Sequence, residues 1–249
     1  MSRSHTFLLT LCFLAISAIA APSARAGEPG AGGYRAADRG QRALWVWRST
    51  FLGDQSEQRE MLRFARKKRI RTLFLFASTR RLRKEPELFR RFLVEAHKQG
   101  MAVQALNGVP SWVYRHQREG AAGFLDEVLR FNQEGPPSAR FDAIHLDVEP
   151  QALPDWSPEK DPGERQRLAE RYVDLLRWSR HRTRESGIPL AVDVPVSFNE
   201  MQVDSKPMLV AVLERVDELA VMAYLEKVPA ILGSTQKALA HGQEMGKRV

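Results

Sequence analysis

Four ionisable side chains stand close together in FDAIHLDVEP (141–150): Asp142, His145, Asp147 and Glu149. They are interleaved with Ile144, Leu146 and Val148, an alternation that reads as a strand. Side chains alternate across a strand, so His145, Asp147 and Glu149 share one face and the three aliphatic residues share the other. Charged groups are rarely buried without a partner or a use, because desolvation costs several kcal/mol per ion. At a rise of about 3.3 Å per residue, the Cα atoms of Asp147 and Glu149 lie roughly 6.6 Å apart, close enough for both carboxylates to reach one substrate. Two neighbouring carboxylates split their pKa values, which leaves one protonated as an acid and the other charged. Glu149, at the strand end, is the more exposed of the two and the candidate proton donor.

Two other readings of the same residues stay open. His145, Asp147 and Glu149 could act as metal ligands, although no further histidine falls at a comparable strand end. A purely structural network is the other possibility, with Asp142 capping the strand entry and His145 satisfied by a neighbour.

The elements that must position these residues repeat one unit. RALWVW (42–47), RTLFLFAS (71–78), MAVQALNG (101–108), the 141–150 run, PLAVDVPVSF (189–198) and ELAVMAYLE (218–226) read as strands. Helical patterns follow each in turn: 56–69, 85–100, 123–135, 163–187 with Gly187 as C-cap, 206–216 and 229–247. Apolar strands that each lead into a helix make a parallel sheet covered by helices. No G-x-G-x-x-G turn follows the first strand, which removes the main signature of a dinucleotide-binding sheet. Arg48, Ser78, Asn107, Glu149, Asn199 and Glu226 instead gather at the carboxyl ends of strands, as in a barrel whose site lies on its C-terminal face. The expected fold is therefore α/β, a (β/α)₈ TIM-barrel type truncated after the sixth β/α unit, occupying residues 42–249. Trp47, Trp112, Tyr114, Trp156, Phe198 and Tyr224 lie at or after strand ends, where flat rings could stack on sugars. Trp112 and Trp156, in loops with Pro110 and Pro154, are the ones expected to be exposed.

The first 26 residues read as a signal peptide: Arg3, an apolar stretch, then Ala24-Arg25-Ala26 as cleavage site. Residues 27–41 read as a flexible linker. The expected location is periplasmic or secreted, with no membrane association after cleavage. Cys12 is the only cysteine and would leave with the leader, which excludes disulfide and thiolate chemistry. The formal charge falls from +8 to +6 on cleavage, since Arg3 and Arg25 go without any acid. The basic excess sits in RKKRIR (66–71) and TRRLRKEPELFRR (79–91), read as solvated helix surface or as attraction to an acidic or cell-wall glycan. No nucleic-acid-binding motif is present.

DAIHLDVE (142–149) resembles the D-x-x-D-x-D-x-E signature of the chitinase-type (family 18) glycoside hydrolases, found on strand four of a (β/α)₈ barrel. VMAYLE (221–226) is similar to that family's M-x-Y-D segment on strand six. The resemblance implies that Glu149 protonates a glycosidic oxygen and that Asp147 orients an acetamido group attacking its own anomeric carbon. Tyr224 would hydrogen-bond that group, and no protein nucleophile or cofactor would be needed. His145 stands where the family has its middle Asp, and its charge is expected to lower the pKa of Asp147 rather than raise it. Leu225 replaces the family's Asp, with Glu226 one place later, and Val148 replaces a frequent aromatic. Glu149-Pro150 also permits a double-displacement glycosidase with its nucleophile on a seventh strand. The expected pocket is completed by Asp193, Asn107, Trp47 and His145 beside Tyr224 and Glu226. The expected function is an exported glycoside hydrolase-like protein acting on a polysaccharide. The alternative is a catalytically inactive carbohydrate-binding barrel.

Overall fold

Alternation along the strands sorts side chains onto two faces, and both are buried. The computed structural model describes residues 14–16, 42–157 and 161–249. The predicted leader, apart from residues 14–16, and the 27–41 linker lie outside the described residues. The sheet runs through β1 (Leu14–Ile16), β2 (Arg42–Val46), β3 (Ile70–Phe76), β4 (Ala102–Asn107), β5 (Ala143–Leu146) and β6 (Leu190–Pro195). A small hairpin of β7 (Gln202–Val203) and β8 (Lys206–Pro207) then leads to β9 (Glu218–Met222), which pairs with β6. The strands β2, β3, β4, β5, β6 and β9 are parallel, while β1 lies antiparallel on the β2 edge. These are the six strands expected from the pattern, in sequence order across the sheet.

The helices are α1 (Gln55–Lys67), α2 (Thr79–Lys84), α3 (Pro86–Lys98), α4 (Arg118–Glu134), α5 (Pro162–Thr183), α6 (Met208–Leu213) and α7 (Val228–Glu244). Local chemistry sets several of their ends. Asp54 caps α1, its Oδ1 accepting from the backbone N–H of Ser56 at 2.6 Å and Glu57 at 3.3 Å. Ser78 caps α2 by accepting from Arg81 N–H at 3.3 Å. The short α2 was not read from sequence; it separates from α3 at Glu85-Pro86, because a residue before proline is steered out of the helical region. Gly187 adopts a left-handed φ of 69° after the turn that ends α5, the C-cap conformation expected of it.

Leu44, Leu73, Val103, Ile144, Leu190 and Leu219 project from the outer face into one large core shared with the helices, among them Leu62, Phe89, Phe92, Phe124, Leu176 and Leu209. Burying each such aliphatic side chain contributes about 1.5–3 kcal/mol. On the inner face Trp45, Phe74 and Leu106 form a separate apolar cluster with Ala43 and Ala220. Side chains meet across that inner space. The Trp45 indole on β2 donates to Asp193 Oδ2 on β6 at 3.1 Å, and Gln104 on β4 donates to Glu218 on β9 at 2.9 Å. Contacts between such distant strands require the sheet to curl into a partial barrel, with two separate interiors. At its far edge, Leu219 N–H donates to the Arg248 carbonyl at 2.9 Å, part of a single parallel bridge between Glu218 and Arg248.

Asp142 proves to be a structural residue. Its Oδ2 accepts from Val103 N–H at 2.7 Å and contacts His97 Nε2 at 2.9 Å, tying α3 and the start of β4 to the start of β5. Burial alone would depress the His97 pKa, but Asp142 and the Ser138 carbonyl raise it overall. The ionic part of this tie is therefore complete below the ordinary histidine pKa and fades as pH rises through the folded one. Asp142→Ala is expected to cost about 1–3 kcal/mol. Denaturant titrations should show a larger loss at pH 6 than at pH 8.5, and an equal loss at both would remove the ionic contribution.

Candidate active site

The site begins with a backbone contact. Gly108 follows β4, and a Cβ there would fall 1.8 Å from the Asp147 carbonyl oxygen, so only glycine lets the two segments approach this closely. Asp147 N–H donates to the Asn107 carbonyl at 3.1 Å, carrying the β4–β5 ladder one residue past the end of β5. Asn107 braces the same point. Its side chain donates to the Ala77 carbonyl at 3.2 Å and accepts from Gly108 N–H at 2.8 Å, joining the carboxyl ends of β3 and β4. Beyond Leu146 the chain leaves the strand, yet the parity persists. Val148 stays in the core beneath the helices, while Asp147 and Glu149 take the inner side.

A polar chain lies below Asp147. His145 is wholly buried, its Nδ1 lying 2.7 Å from Gln104 Oε1 and its Nε2 3.0 Å from Asp193 Oδ2. Asp193 also accepts the Trp45 N–H, and the Tyr172 hydroxyl donates to its carbonyl at 3.3 Å. Glu218, at the far end, accepts from Gln104 and from Arg248, each at 2.9 Å. His145 is thus hydrogen-bonded at Nδ1, while its buried Nε2 lies beside Asp193 without the alignment of a hydrogen bond.

Asp147 is buried at 7% exposure, and no described residue donates a hydrogen bond to its Oδ1. Burial, then the charges of Asp193 and Glu149, push its pKa up to about 7 against the opposing effect of His145. His145 lowers it, as the sequence led us to expect, but this is the smallest of the four effects. Burial dominates, and Asp193 on the neighbouring strand restores the like charge that the histidine removed. Glu149 is half-buried, and its pKa is also raised, first by burial and then by Asp193. A 2.7 Å hydrogen bond from Gln151 opposes the rise.

The predicted pocket residues divide by height. His145 and Asp193 form the floor, and Asp147 and Glu149 stand above it. Tyr224, 66% exposed, still senses Asp193, Glu149 and Asp147. Burial and those charges raise its hydroxyl to about 12. Trp47 is 49% exposed just past β2. Glu226 is exposed in the bend beyond β9, outside the hydrogen bonds and ion pairs that join the acids among the described residues.

Other expectations fail. Trp112 and Trp156 are buried, because their loops wind into short 3₁₀ turns that press the indoles onto the helices. Trp112 stacks on Phe124 at 6.3 Å, and Trp156 packs on Phe198 at 6.0 Å and under Arg165 at 5.4 Å. Asn199 leaves the strand for a 3₁₀ turn and donates to the Ser234 carbonyl at 2.7 Å. Among the described residues, no group of three or more His, Cys, Asp or Glu is placed to hold a metal ion. Nor is any helix among them long and apolar enough to cross a membrane. Part of the basic excess lines a cleft of about 910 Å³ on the outer face of α1 and α3, with Arg59, Arg63, Arg66, Arg90 and Arg91 on its walls.

Sequence reading missed Trp45, Gln104, Glu218 and Gly108. The lone polar residue in the middle of MAVQALNG had been a usable signal, since Gln104 has the parity of an inner-face residue.

Six parallel strands alternating with helices, with acids at the carboxyl ends on the inner face, define an incomplete (β/α) barrel. Solved structures agree on the fold. The C-terminal domain of a putative chitinase from Desulfitobacterium hafniense DCB-2 is similar over 83% of this chain, at 15% identity and a TM-score of 0.56. A chitinase from Chromobacterium violaceum ATCC 12472 is similar over 79% of it, at 12% identity and a TM-score of 0.50. The chain spans 64% of the length of each. No family model and no curated protein sequence matches.

Proposed function

We propose that the chain is an exported, periplasmic or secreted glycoside hydrolase-like protein that acts on a polysaccharide or cell-wall glycan. The observation that carries this reading is Asp147, a buried carboxyl raised to about 7 beside Glu149 at the carboxyl end of a barrel strand. Glu149, raised by burial and by Asp193, holds a proton for the glycosidic oxygen. Asp147 stands beside it and, in its protonated form, can donate a hydrogen bond to an amide or hydroxyl of the sugar. Tyr224 and Trp47 offer exposed rings at the rim on which a sugar face could rest. Asn107 keeps the strand ends together, and Glu226 would take part only from outside the acid cluster. The two chitinases similar in fold make N-acetylated glycans the first substrates to try.

One observation favours a second reading, a silent carbohydrate-binding barrel. The Gln151 hydrogen bond stabilises ionised Glu149, the wrong state for an acid. A screen of chitin oligosaccharides and peptidoglycan fragments, run with Glu149→Gln beside the parent, separates the two. The hydrolase reading predicts turnover that falls about 10²–10⁴-fold in the variant. Sugar binding of equal strength in both proteins, with no turnover in either, would establish the binding module instead.

A further inference from the structure

The donors and acceptors around His145 fix its protonation. Glu218 is a carboxylate that accepts at Oε2 from both Arg248 and Gln104, so the Gln104 amide must turn its NH₂ toward Glu218. Its oxygen then faces His145 Nδ1 at 2.7 Å, and that nitrogen has to carry a proton. On the other side of the ring, Nε2 lies 3.0 Å from Asp193 Oδ2, which already receives the Trp45 N–H. A neutral ring protonated at Nδ1 would leave its Nε2 lone pair 3.0 Å from a carboxylate oxygen, out of hydrogen-bond alignment and with both groups fully buried. A second ring proton removes that clash and leaves an ion pair.

We infer that His145 carries both ring protons in the folded protein, and that its pair with Asp193 is a positioning device beneath Asp147. The groups facing the ring come from every neighbouring strand: Asp193 on β6, Gln104 on β4, Glu218 on β9, Asp147 on its own segment, and the Phe74 ring on β3 at 4.3 Å. Three of these five are acids and none is a base. Burial works against the ring's charge, yet Asp193, Glu218 and Asp147 together raise its pKa. Beneath Asp147 the charges of His145 and Asp193 therefore oppose one another, and the effect of Asp193 is the larger. The cation holds Asp193 in place, and Asp193 supplies the like charge from the next strand. Asp193 and His145 act through Asp147 and do not themselves meet a substrate.

This inference deepens the hydrolase reading by naming what tunes its acid, but its test needs no substrate. The full chain labelled with ¹⁵N-histidine should show both ring nitrogens of His145 protonated from pH 5.5 to 8, while an unperturbed ring titrates near 6.5. The His145 signals are those lost in His145→Gln. In Asp193→Asn, with folding verified by circular dichroism, His145 should titrate within that range. In His145→Gln, which removes the cation and leaves the Asp193 charge, the ¹³C-carboxyl midpoint of Asp147 should rise. A neutral His145 in the parent at pH 6, including one with the shared proton on the carboxylate, overturns the inference. So does an Asp147 midpoint that His145→Gln leaves unmoved. Absence of glycan turnover alongside the expected spectra would overturn the hydrolase reading and leave the buried pair established.

Discussion

Asp147→Asn is expected to make the protein more stable and less active. Asp147 is almost fully buried, lacks a donor at Oδ1, and binds its proton up to about pH 7 in the fold against 3.8 for the free group. The folded state thus binds more protons than the unfolded chain over that interval, so this residue lowers stability as pH rises from about 4 to about 7. A neutral amide of the same shape never pays for ionisation. At one pKa unit to about 1.4 kcal/mol, the gain in the variant approaches about 4 kcal/mol at pH 8 as an upper bound, and it shrinks toward zero as pH falls to 4. Urea titrations at pH 8 and pH 4 measure the difference. Turnover, where the hydrolase reading holds, should drop about 10²–10⁴-fold, because asparagine cannot exchange a proton with the reacting groups. A variant that is no more stable at pH 8 than its parent would show that Asp147 is not a desolvated acid.

What was legible in the sequence followed from short-range rules. Alternation through Ile144, Leu146 and Val148 placed His145, Asp147 and Glu149 on the opposite face, and the inner barrel surface received them. Repetition of strand and helix gave the parallel order of all six strands. Failures came where distant segments decide. Trp112 and Trp156 sit beside prolines, and such loops usually project, but nothing local told that α4 and α5 would receive their indoles. The net direction of the Asp147 shift was hidden for the same reason, since the lowering by His145 is real but is outweighed by burial and by Asp193. His145 is two residues away and was weighed, whereas Asp193 lies 46 positions on and reaches the site only through the β5–β6 pairing. Local sequence carries side-chain parity well, and it carries the electrostatic field of a folded site poorly.

The second large effect is expected at Gly108, a residue with no chemistry of its own. Its backbone φ is not left-handed, so conformational freedom is not what demands glycine here. Space demands it. A Cβ would lie 1.8 Å from the Asp147 carbonyl oxygen and 2.2 Å from its carbon, and backbone cannot swing aside as a flexible side chain can. Gly108→Ala must therefore part the segments after β4 and β5, straining the Asp147 N–H bond to the Asn107 carbonyl. Overpacking of this kind costs about 1–3 kcal/mol, and the upper end is expected because both colliding groups are main chain. The displacement falls on the residue that carries the acid, and a shift of about 1 Å at a reacting group can cost about 10²-fold in rate. Comparison with Gly123→Ala supplies the control, since a Cβ at Gly123 meets nothing within 4 Å. Gly123 lies inside α4, where alanine is favoured over glycine by about 1 kcal/mol. The two glycine-to-alanine changes should therefore move the denaturation midpoint in opposite directions. Equal behaviour of the two variants would mean that Asp147 is not held against Gly108, and the acid pair would lose the contact that sets its position.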